Sequence, residues 1–514
     1  MSISETEQQE TIDFLTAALS ENDTPPKIIT THISVVFLSG DRVIKLKRAV
    51  KFPFLDFRTL EARHEACRRE VEINRRTAPT IYKGVLPVTL SSGGLELDGR
   101  GEAVDWVVDM RRFDESLLFD RLAAVDNGLR RPVIEDLADA IAEFHEKADI
   151  RGNKGGAGGI RGIAENNIRA FREQSGAGIF DRVRVDAVTT RTLEMIDDIS
   201  ATLDARREQG RVRACHGDLH LRNICMIDGK PTLFDAIEFS TDFSDIDVLY
   251  DLAFLLMDMD FHDKRRLATF LFNRYLDVSD ESPDAYRVLP VFLSMRAQIR
   301  AHVGAAIAAS QDDDAERDRE AETARRYLDL AETYLTPQPP RLVAVGGLSG
   351  SGKSRLAREV ARYLGRRPGA RVVRTDVVRK RLCGVHPNEK LGPAGYVSAM
   401  TAQTYAAFME QAREALENGQ CVVLDAVFAK QHERERAEQL AHACSVPFTG
   451  IWVDAPERIR LDRVATRGRN VSDVTVEIAE QQSDYDLGDT GWARVDSSGK
   501  KKETVREARN ILKT

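Results

Sequence analysis

The sequence predicts two domains of mixed α and β structure. The first is α+β, a small β-rich lobe followed by a helical lobe, and the second is α/β, built on a parallel sheet. Three observations carry this expectation. Short alternating apolar runs dominate the early sequence, whereas from about Pro132 the pattern is mainly helical. The stretch "TPQPPR", Thr336 to Arg341, places Pro337, Pro339 and Pro340 where no helix can continue. Directly after it, "RLVAVGGLSGSGKSRLAREVARYL" reads as a buried strand, a glycine loop and a helix. A chain of 514 residues is long for one core, so we divide it into residues 1–336 and 337–514.

In chain order, "HISVVFLSGDRVIKLKRAV" holds two strands joined by a Gly40-Asp41 turn. Within "VIKLK", Lys45 and Lys47 alternate onto one face. "LEARHEACRREVEINRRTA" has helical spacing, and "GVLPVTL" and "AVDWVVDM" read as further strands. "GNKGGAGG", Gly152 to Gly159, is expected to be a flexible loop. The charged run before the prolines is a helix packed through Leu328, Leu330, Ala331 and Leu335. There is no internal repeat.

Composition narrows the function classes. The net charge of −8 argues against a strong overall field for nucleic acid and leaves room only for a local basic groove. The six cysteines form no CxxC pair, which argues against zinc-site spacing and a secreted disulfide framework. The N-terminus has no basic segment ahead of an apolar run, and no apolar run approaches ~20 residues. The expected setting is a reducing cytoplasm with no membrane partner.

The first candidate site is "HGDLHLRNICMIDGKPTLFDAIEF", starting at His216. Asp218 and Asn223 lie in a loop without periodicity. Two short strands follow, joined by a turn at Asp228-Gly229, and a hairpin there folds Asp235 back beside Asn223. Asn223 and Asp235 are then placed to hold Mg²⁺, and Asp218 faces an acceptor hydroxyl. Phosphoryl transfer needs those parts, a metal on the phosphate oxygens and a group that orients the nucleophile. His216 is expected to brace the loop.

This stretch resembles the aminoglycoside phosphotransferase and choline kinase group, within the protein-kinase-like fold, over roughly residues 30 to 330. The resemblance implies a bilobal domain in which one of Lys45 and Lys47, with Lys45 preferred, reaches the ATP phosphates, Glu70 pairs with that lysine, and residues 107–113 form the hinge beside the adenine. It also implies an Asp supporting the catalytic loop in "DIDVLYDLAFLLMD", with Asp251 preferred to Asp247. The turn in "VVFLSGD" is not glycine-rich, and no Gly follows Asp235. Neither departure removes a catalytic group, so an intact site is expected.

The second candidate site satisfies G-x-x-x-x-G-K-[ST] with Gly347, Gly352, Lys353 and Ser354, and Ser349, Gly350 and Ser351 complete the loop. Glycines let backbone N–H groups point at phosphate, and the helix N-terminus adds its dipole. Lys353 is expected on the β/γ phosphates and Ser354 on Mg²⁺. "RVVRTDVVRKRL" reads as a strand ending at acceptor-side Asp376, and "GQCVVLDAVF" as a strand ending at Asp425, a second metal-side group. A helix carrying Arg460, Arg463 and Arg467 suits a lid over the transferred group. These stretches resemble a P-loop kinase family grouped with polynucleotide 5′-kinase, gluconate kinase, zeta-toxin and chloramphenicol phosphotransferase domains. That resemblance implies Asp376 as acceptor-side base or orienter, Arg379 as an acceptor contact, and Arg463 and Arg467 as catalytic lid residues.

The whole chain resembles bacterial fusions of an aminoglycoside-phosphotransferase-like domain with a predicted P-loop kinase. The implied function is ATP-dependent phosphoryl transfer at two nucleotide sites, with ATP and Mg²⁺ as cofactors and a small-molecule hydroxyl as acceptor. A polycationic drug needs a carboxylate-lined pocket, and after Asp247 acidic residues mix with Arg296 and Arg300, so a metabolic acceptor is preferred to an aminoglycoside. The alternatives for the second domain are a polynucleotide 5′-hydroxyl kinase acting on nucleic acid ends and a zeta-toxin-like nucleotide-sugar kinase. A third alternative makes one domain an ATP-binding sensor of the other. The sequence leaves oligomeric state open.

Overall fold

The computed structural model describes residues 5–22, 24–52, 55–174, 178–466, 471–488 and 490–514. It separates into two compact units, Met1–Gly159 with Asp204–Leu255, and Ile160–Leu203 with Leu256–Thr514. Among the described residues no helix is long and apolar enough to cross a membrane.

After the helix Glu5–Ala18, the first unit runs through β1 (Lys27–Thr30), β2 (Ser34–Ser39) and β3 (Arg42–Lys47), a short pair β4 (Lys51–Phe52) and β5 (Leu55–Asp56), then β6 (Tyr82–Ser91), β7 (Gly94–Leu97) and β8 (Glu102–Arg111). Six of them make an antiparallel sheet in the order β1-β2-β3-β8-β6-β7. Alternation gives each face its own core. One face packs Phe37, Ile44, Leu46, Val88 and Val107 against Leu15 of the helix Glu5–Ala18 and Leu19 just after it. The other carries the helix Leu60–Asn74, whose Cys67 and Val71 meet Val43, Val108 and Met110. Thr59 starts that helix by accepting the Ala62 N–H.

The unit continues through β9 (Val212–Ala214), β10 (Ile224–Ile227), β11 (Lys230–Leu233) and β12 (Asp245–Asp247). β10 and β11 form the expected hairpin, with Ile224 opposite Leu233. Its turn residues Asp228 and Gly229 both have positive φ, 49° and 77°, as a tight two-residue hairpin requires. The glycine-rich segment departs from its expected form. Residues 152–155 are irregular, but a helix, Gly156–Glu173, begins inside the run. The Asp204 carboxylate accepts the Ala157 N–H at 3.1 Å and supplies a start signal that the glycines lack.

The second unit contains β13 (Leu342–Gly346), β14 (Arg371–Arg374), β15 (Val422–Asp425), β16 (Phe448–Asp454) and β17 (Ala493–Asp496). They form a parallel sheet in the order β14-β15-β13-β16-β17. Both faces are covered, one by Phe408, Ala412, Leu416 and Leu440, the other by Leu356, Val360, Ala508 and Leu512. Double coverage is why the central strands read as continuous apolar runs. The edge strand β14 is closed by the helix Arg265–Val278. Asn273 accepts the Val372 N–H at 2.7 Å and donates to the Ala370 carbonyl at 3.1 Å, and Asp277 pairs with Arg371 at 2.7 Å.

Candidate functional sites

In the first unit, β3 and the helix Leu60–Asn74 bring Lys45 and Glu70 together. Lys45 Nζ donates to Glu70 Oε1 at 2.8 Å and to Asp235 Oδ1 at 2.7 Å. Burial by itself pushes the Lys45 ammonium toward neutrality, but Asp235 and Glu70 outweigh it and hold its pKa well above the usual value. Glu70 is wholly buried. Burial pushes it up, yet Lys45 and Lys47 bring it down to about 2.

Asp235 follows the β10–β11 hairpin. The Phe234 N–H donates to the Asn223 carbonyl at 3.0 Å, so Asp235 sits one residue past the end of the pairing. It is in the left-handed region, φ 61°, which Asp tolerates better than most side chains. The conformation is held from both sides: the Asp235 N–H donates to the Tyr82 hydroxyl at 3.1 Å and the Ala236 N–H to Asn74 Oδ1 at 2.8 Å.

The loop before the hairpin is fixed by Asp251 on the helix Val248–Phe261. Its carboxylate accepts the His216 N–H at 3.0 Å and the Gly217 N–H at 2.8 Å, and lies 3.2 Å from His145 Nε2. Asp247 is engaged elsewhere, paired with Arg206 at 2.8 and 2.9 Å. His216 is fully buried, which lowers its pKa, and its Nε2 reaches the Phe234 carbonyl at 2.9 Å. A neutral, hydrogen-bonded imidazole braces the loop. The Asn223 amide donates to Asp218 Oδ2 at 2.9 Å. The Asp218 carboxylate is partly open to solvent at 37% exposure. Lys45, Glu70 and Asp235 therefore form one hydrogen-bonded group and Asp218 with Asn223 another, joined through the backbone bond from Phe234 to Asn223.

Glu238 and His220 escaped the sequence reading, and Lys47, the less favoured of the two candidate phosphate lysines, is wholly buried. Lys47 is buried against Glu70 at 2.5 Å and against Glu238. His220 lies 3.3 Å from Asp218 Oδ2. The shared face of Lys45 and Lys47 marked only the lysine and not Glu238; "HGDLH" held His220 without marking its direction.

The second site lies between β13 and the helix Lys353–Ala361. Gly347, Gly350 and Gly352 all have positive φ. A Cβ on Gly350 would stand 2.2 Å from the Arg460 carbonyl oxygen, so the loop requires glycine there for space as well as conformation. Ser354 Oγ donates to Asp425 Oδ1 at 3.0 Å, and the other Asp425 oxygen takes Arg374 Nε at 3.0 Å. The two residues expected on the metal side are thus in contact. The Ser349 N–H donates to Gln482 Oε1 at 2.8 Å, and Ser497 Oγ donates to the Ser351 carbonyl at 2.5 Å.

The remaining residues stand as follows. β14 ends at Arg374, and Asp376 sits in the first turn of the next helix, Thr375–Leu382, rather than at a strand end. An acidic group there is favoured by the helix dipole. Arg379 donates to the Gly395 carbonyl at 2.9 Å and lies over the Tyr396 ring. Arg460 reaches the Ser349 carbonyl and Ser483, and Arg463 reaches the Gly350 carbonyl and Ser497. These two arginines grip the backbone of the phosphate loop. Arg467 lies outside the described residues. Beside the loop opens a cavity of about 500 Å³ lined by Asp454, Pro456, Arg494, Asp496 and Ser498. The matching strand ends "WVDAP" and "ARVDSS" were its only trace in the sequence.

Residues 55–289 match the model of a phosphotransferase enzyme family, and residues 342–485 match that of an AAA domain. The uncharacterized protein Rv2004c of Mycobacterium tuberculosis (strain ATCC 25618 / H37Rv) is 32% identical over 504 residues, which cover 94% of this chain and 95% of that protein. The Mycobacterium bovis protein Mb2027c matches with the same figures. Among solved structures, the amicoumacin kinase hAmiN complex with AMP-PNP, Ca²⁺ and Ami is similar at TM-score 0.39 and 14% identity, covering 65% of this chain and 98% of its own. The Mycobacterium tuberculosis APS kinase CysC complex with AMPPNP and APS is similar at TM-score 0.27 and 20% identity, covering 35% of this chain and 100% of its own.

Proposed function

The chain belongs to the family of these mycobacterial proteins, which joins a phosphotransferase-family region to a P-loop kinase region, and we propose that it is a bifunctional Mg·ATP-dependent kinase acting on hydroxyl groups of small molecules. That it is a phosphotransferase follows from the family; the two active sites, the metal and the acceptor class are our reading. The observation that carries it is the cluster joining Lys45, Glu70 and Asp235 beside Asp218 and Asn223.

The donor sets fit magnesium, a hard cation that takes oxygen ligands. In the first site Asn223 and Asp235 would hold it, and in the second Ser354 and Asp425. Bound there, it would neutralise the oxygens of the transferring phosphoryl group. The protein's own groups do the rest. Lys45, kept charged by its partners, binds phosphate oxygens. Asp218 accepts a hydrogen bond from the acceptor hydroxyl and orients it. The acceptor oxygen bonds to the γ-phosphorus as the bridging oxygen to the β-phosphorus leaves with ADP, and the hydroxyl proton passes to Asp218. In the second site Lys353 binds the β/γ phosphates and Asp376 takes the part of Asp218.

Burial of two of the three basic residues in "VVRKRL" favours a small molecule over a nucleic acid end as second-site acceptor; the third, Arg381, is exposed and pairs with Asp280 at 3.2 Å. In "VVRKRL", Arg379 and Lys380 are buried, and Lys380 pairs with Asp473 at 3.1 Å. Their charge is spent inside the protein, leaving little to track a phosphate backbone. All six cysteines are free, four of them buried, which supports a reducing cytoplasm.

The test uses γ-labelled ATP, Mg²⁺ and a small-molecule extract with wild type, Asp218→Ala and Lys353→Ala. Loss of a different labelled product in each variant is the expected result. Label reaching only RNA 5′ ends, or only the protein itself, would refute the small-molecule reading. One variant abolishing all transfer while the other changes nothing would replace two kinases with a kinase and a sensor.

A further inference from the structure

Lys47 and Glu238 form an ion pair at the base of the first site with both side chains almost wholly buried, 0% and 5% exposed. A buried ion pair confers no stability that a well-packed apolar pair of similar volume would not. Its retention asks for another reason, and its surroundings supply one.

Glu70 divides its two oxygens between the lysines, Oε1 to Lys45 and Oε2 to Lys47. The same lysines also reach the segment after the hairpin, Lys45 to Asp235 and Lys47 to Glu238. β3 therefore grips one four-residue segment at both ends. The backbone at Lys47 is fixed as well: Gln8 Nε2 donates to the Lys47 carbonyl at 2.8 Å, and Gln8 Oε1 accepts the Ala49 N–H at 2.8 Å.

The two grips differ in exposure. The Asp235 side chain is 43% exposed and faces the site, whereas the Lys47–Glu238 end is sealed. When Lys45 turns to phosphate and Asp235 to the metal, their mutual bridge must open. Glu70 then needs its second lysine, and the segment needs its second anchor. We infer that Lys47 and Glu238 are positioning residues of the nucleotide site, a permanent clamp that holds Glu70 and residues 235–238 while Lys45 and Asp235 exchange partners. The inference rests on the reading that this site binds Mg·ATP.

The experiment uses the full chain carrying Lys353→Ala to silence the second site. It measures the affinity of a fluorescent N-methylanthraniloyl-ATP with Mg²⁺ and with EDTA, and the thermal midpoint. Removing both charges, Lys47→Met with Glu238→Gln, keeps the net charge of the cluster but leaves Glu70 Oε2 with no lysine, so the thermal midpoint is expected to fall while the protein still folds. It should weaken binding with Mg²⁺ by about tenfold or more, in the range seen when groups supporting metal ligands are removed, and change binding in EDTA far less. Lys47→Arg keeps the charge and misplaces it, so it serves if the double variant does not fold; it too should weaken Mg²⁺-dependent binding. Unchanged affinity in whichever of these variants folds overturns the clamp, as does equal weakening with and without Mg²⁺. Asp235→Ala separates the two ideas. If it leaves binding unchanged, the nucleotide reading of the site fails first.

Discussion

Asp277→Ala tests whether the edge of the parallel sheet depends on the helix Arg265–Val278. Asp277 and Arg371 pair at 2.7 Å with side chains 11% and 6% exposed. Burial lowers the Arg371 pKa, and Asp277 and then Tyr286 raise it, with a net rise. Removing one partner of a buried pair costs about 3–5 kcal/mol, because the other charge stays behind unpaired. Arg371 keeps one shared donor, its Nη1 on the Asn273 carbonyl at 3.1 Å and on Asn273 Oδ1 at 3.3 Å, and such a donor offsets about 1 kcal/mol. The expected loss is thus about 3 kcal/mol. Of the three tryptophans, Trp452 and Trp492 lie in this unit's core. In a Trp106→Phe background their fluorescence follows the unit's unfolding in urea. With a slope of about 3 kcal/mol/M, the midpoint falls by about 1 M. The paired change Asp277→Leu with Arg371→Met removes both charges and should recover most of that loss. A single-variant shift below about 0.3 M, or a paired variant no better than the single one, would refute the argument. The same reasoning predicts that residues 337–514 alone expose the β14 edge and aggregate.

Other outcomes follow from single contacts. Asp251→Asn turns one oxygen that faces a backbone N–H into a donor; first-site turnover should drop about 10²-fold through a displaced loop, with KM for ATP little changed, as steady-state kinetics will show. Gly350→Ala forces a side chain against the Arg460 carbonyl at φ 81°, so second-site nucleotide binding should disappear in equilibrium titration while first-site binding persists. Glu70 is depressed to about 2 in the folded protein, against about 4.3 in the unfolded chain. A depressed carboxylate stabilises fully above the unfolded value and loses that contribution as pH falls through the folded one. The gap in urea midpoint between wild type and Glu70→Gln should therefore be constant above about pH 5 and shrink toward pH 2; a gap that widens on acidification would sink the assignment.

What the sequence determined by itself was the set of features written in neighbouring residues. The phosphate loop at 347–354 is legible because glycine conformation and helix-start chemistry act within a few residues. The placement of Asp235 beside Asn223 is legible because a two-residue turn of Asp228 and Gly229 leaves the hairpin one register. The Lys45–Glu70 pair came from resemblance, not spacing. Tertiary structure alone decided the rest. Alternation puts Lys47 on the Lys45 face, but its burial and its partner Glu238, 191 residues away, depend on how the hairpin segment packs under the sheet. The helix starting at Gly156 depends on Asp204, 47 residues from Ala157. Arg460 and Arg463 have the spacing of solvent-facing residues, yet they close on the backbone of a loop more than a hundred residues earlier. Asn273 and Asp277 carry no local sign that they cap a sheet edge. Short-range steric and hydrogen-bond rules leave a signature in the sequence, whereas the desolvation and pairing of distant charges are set only when the chain has closed around them.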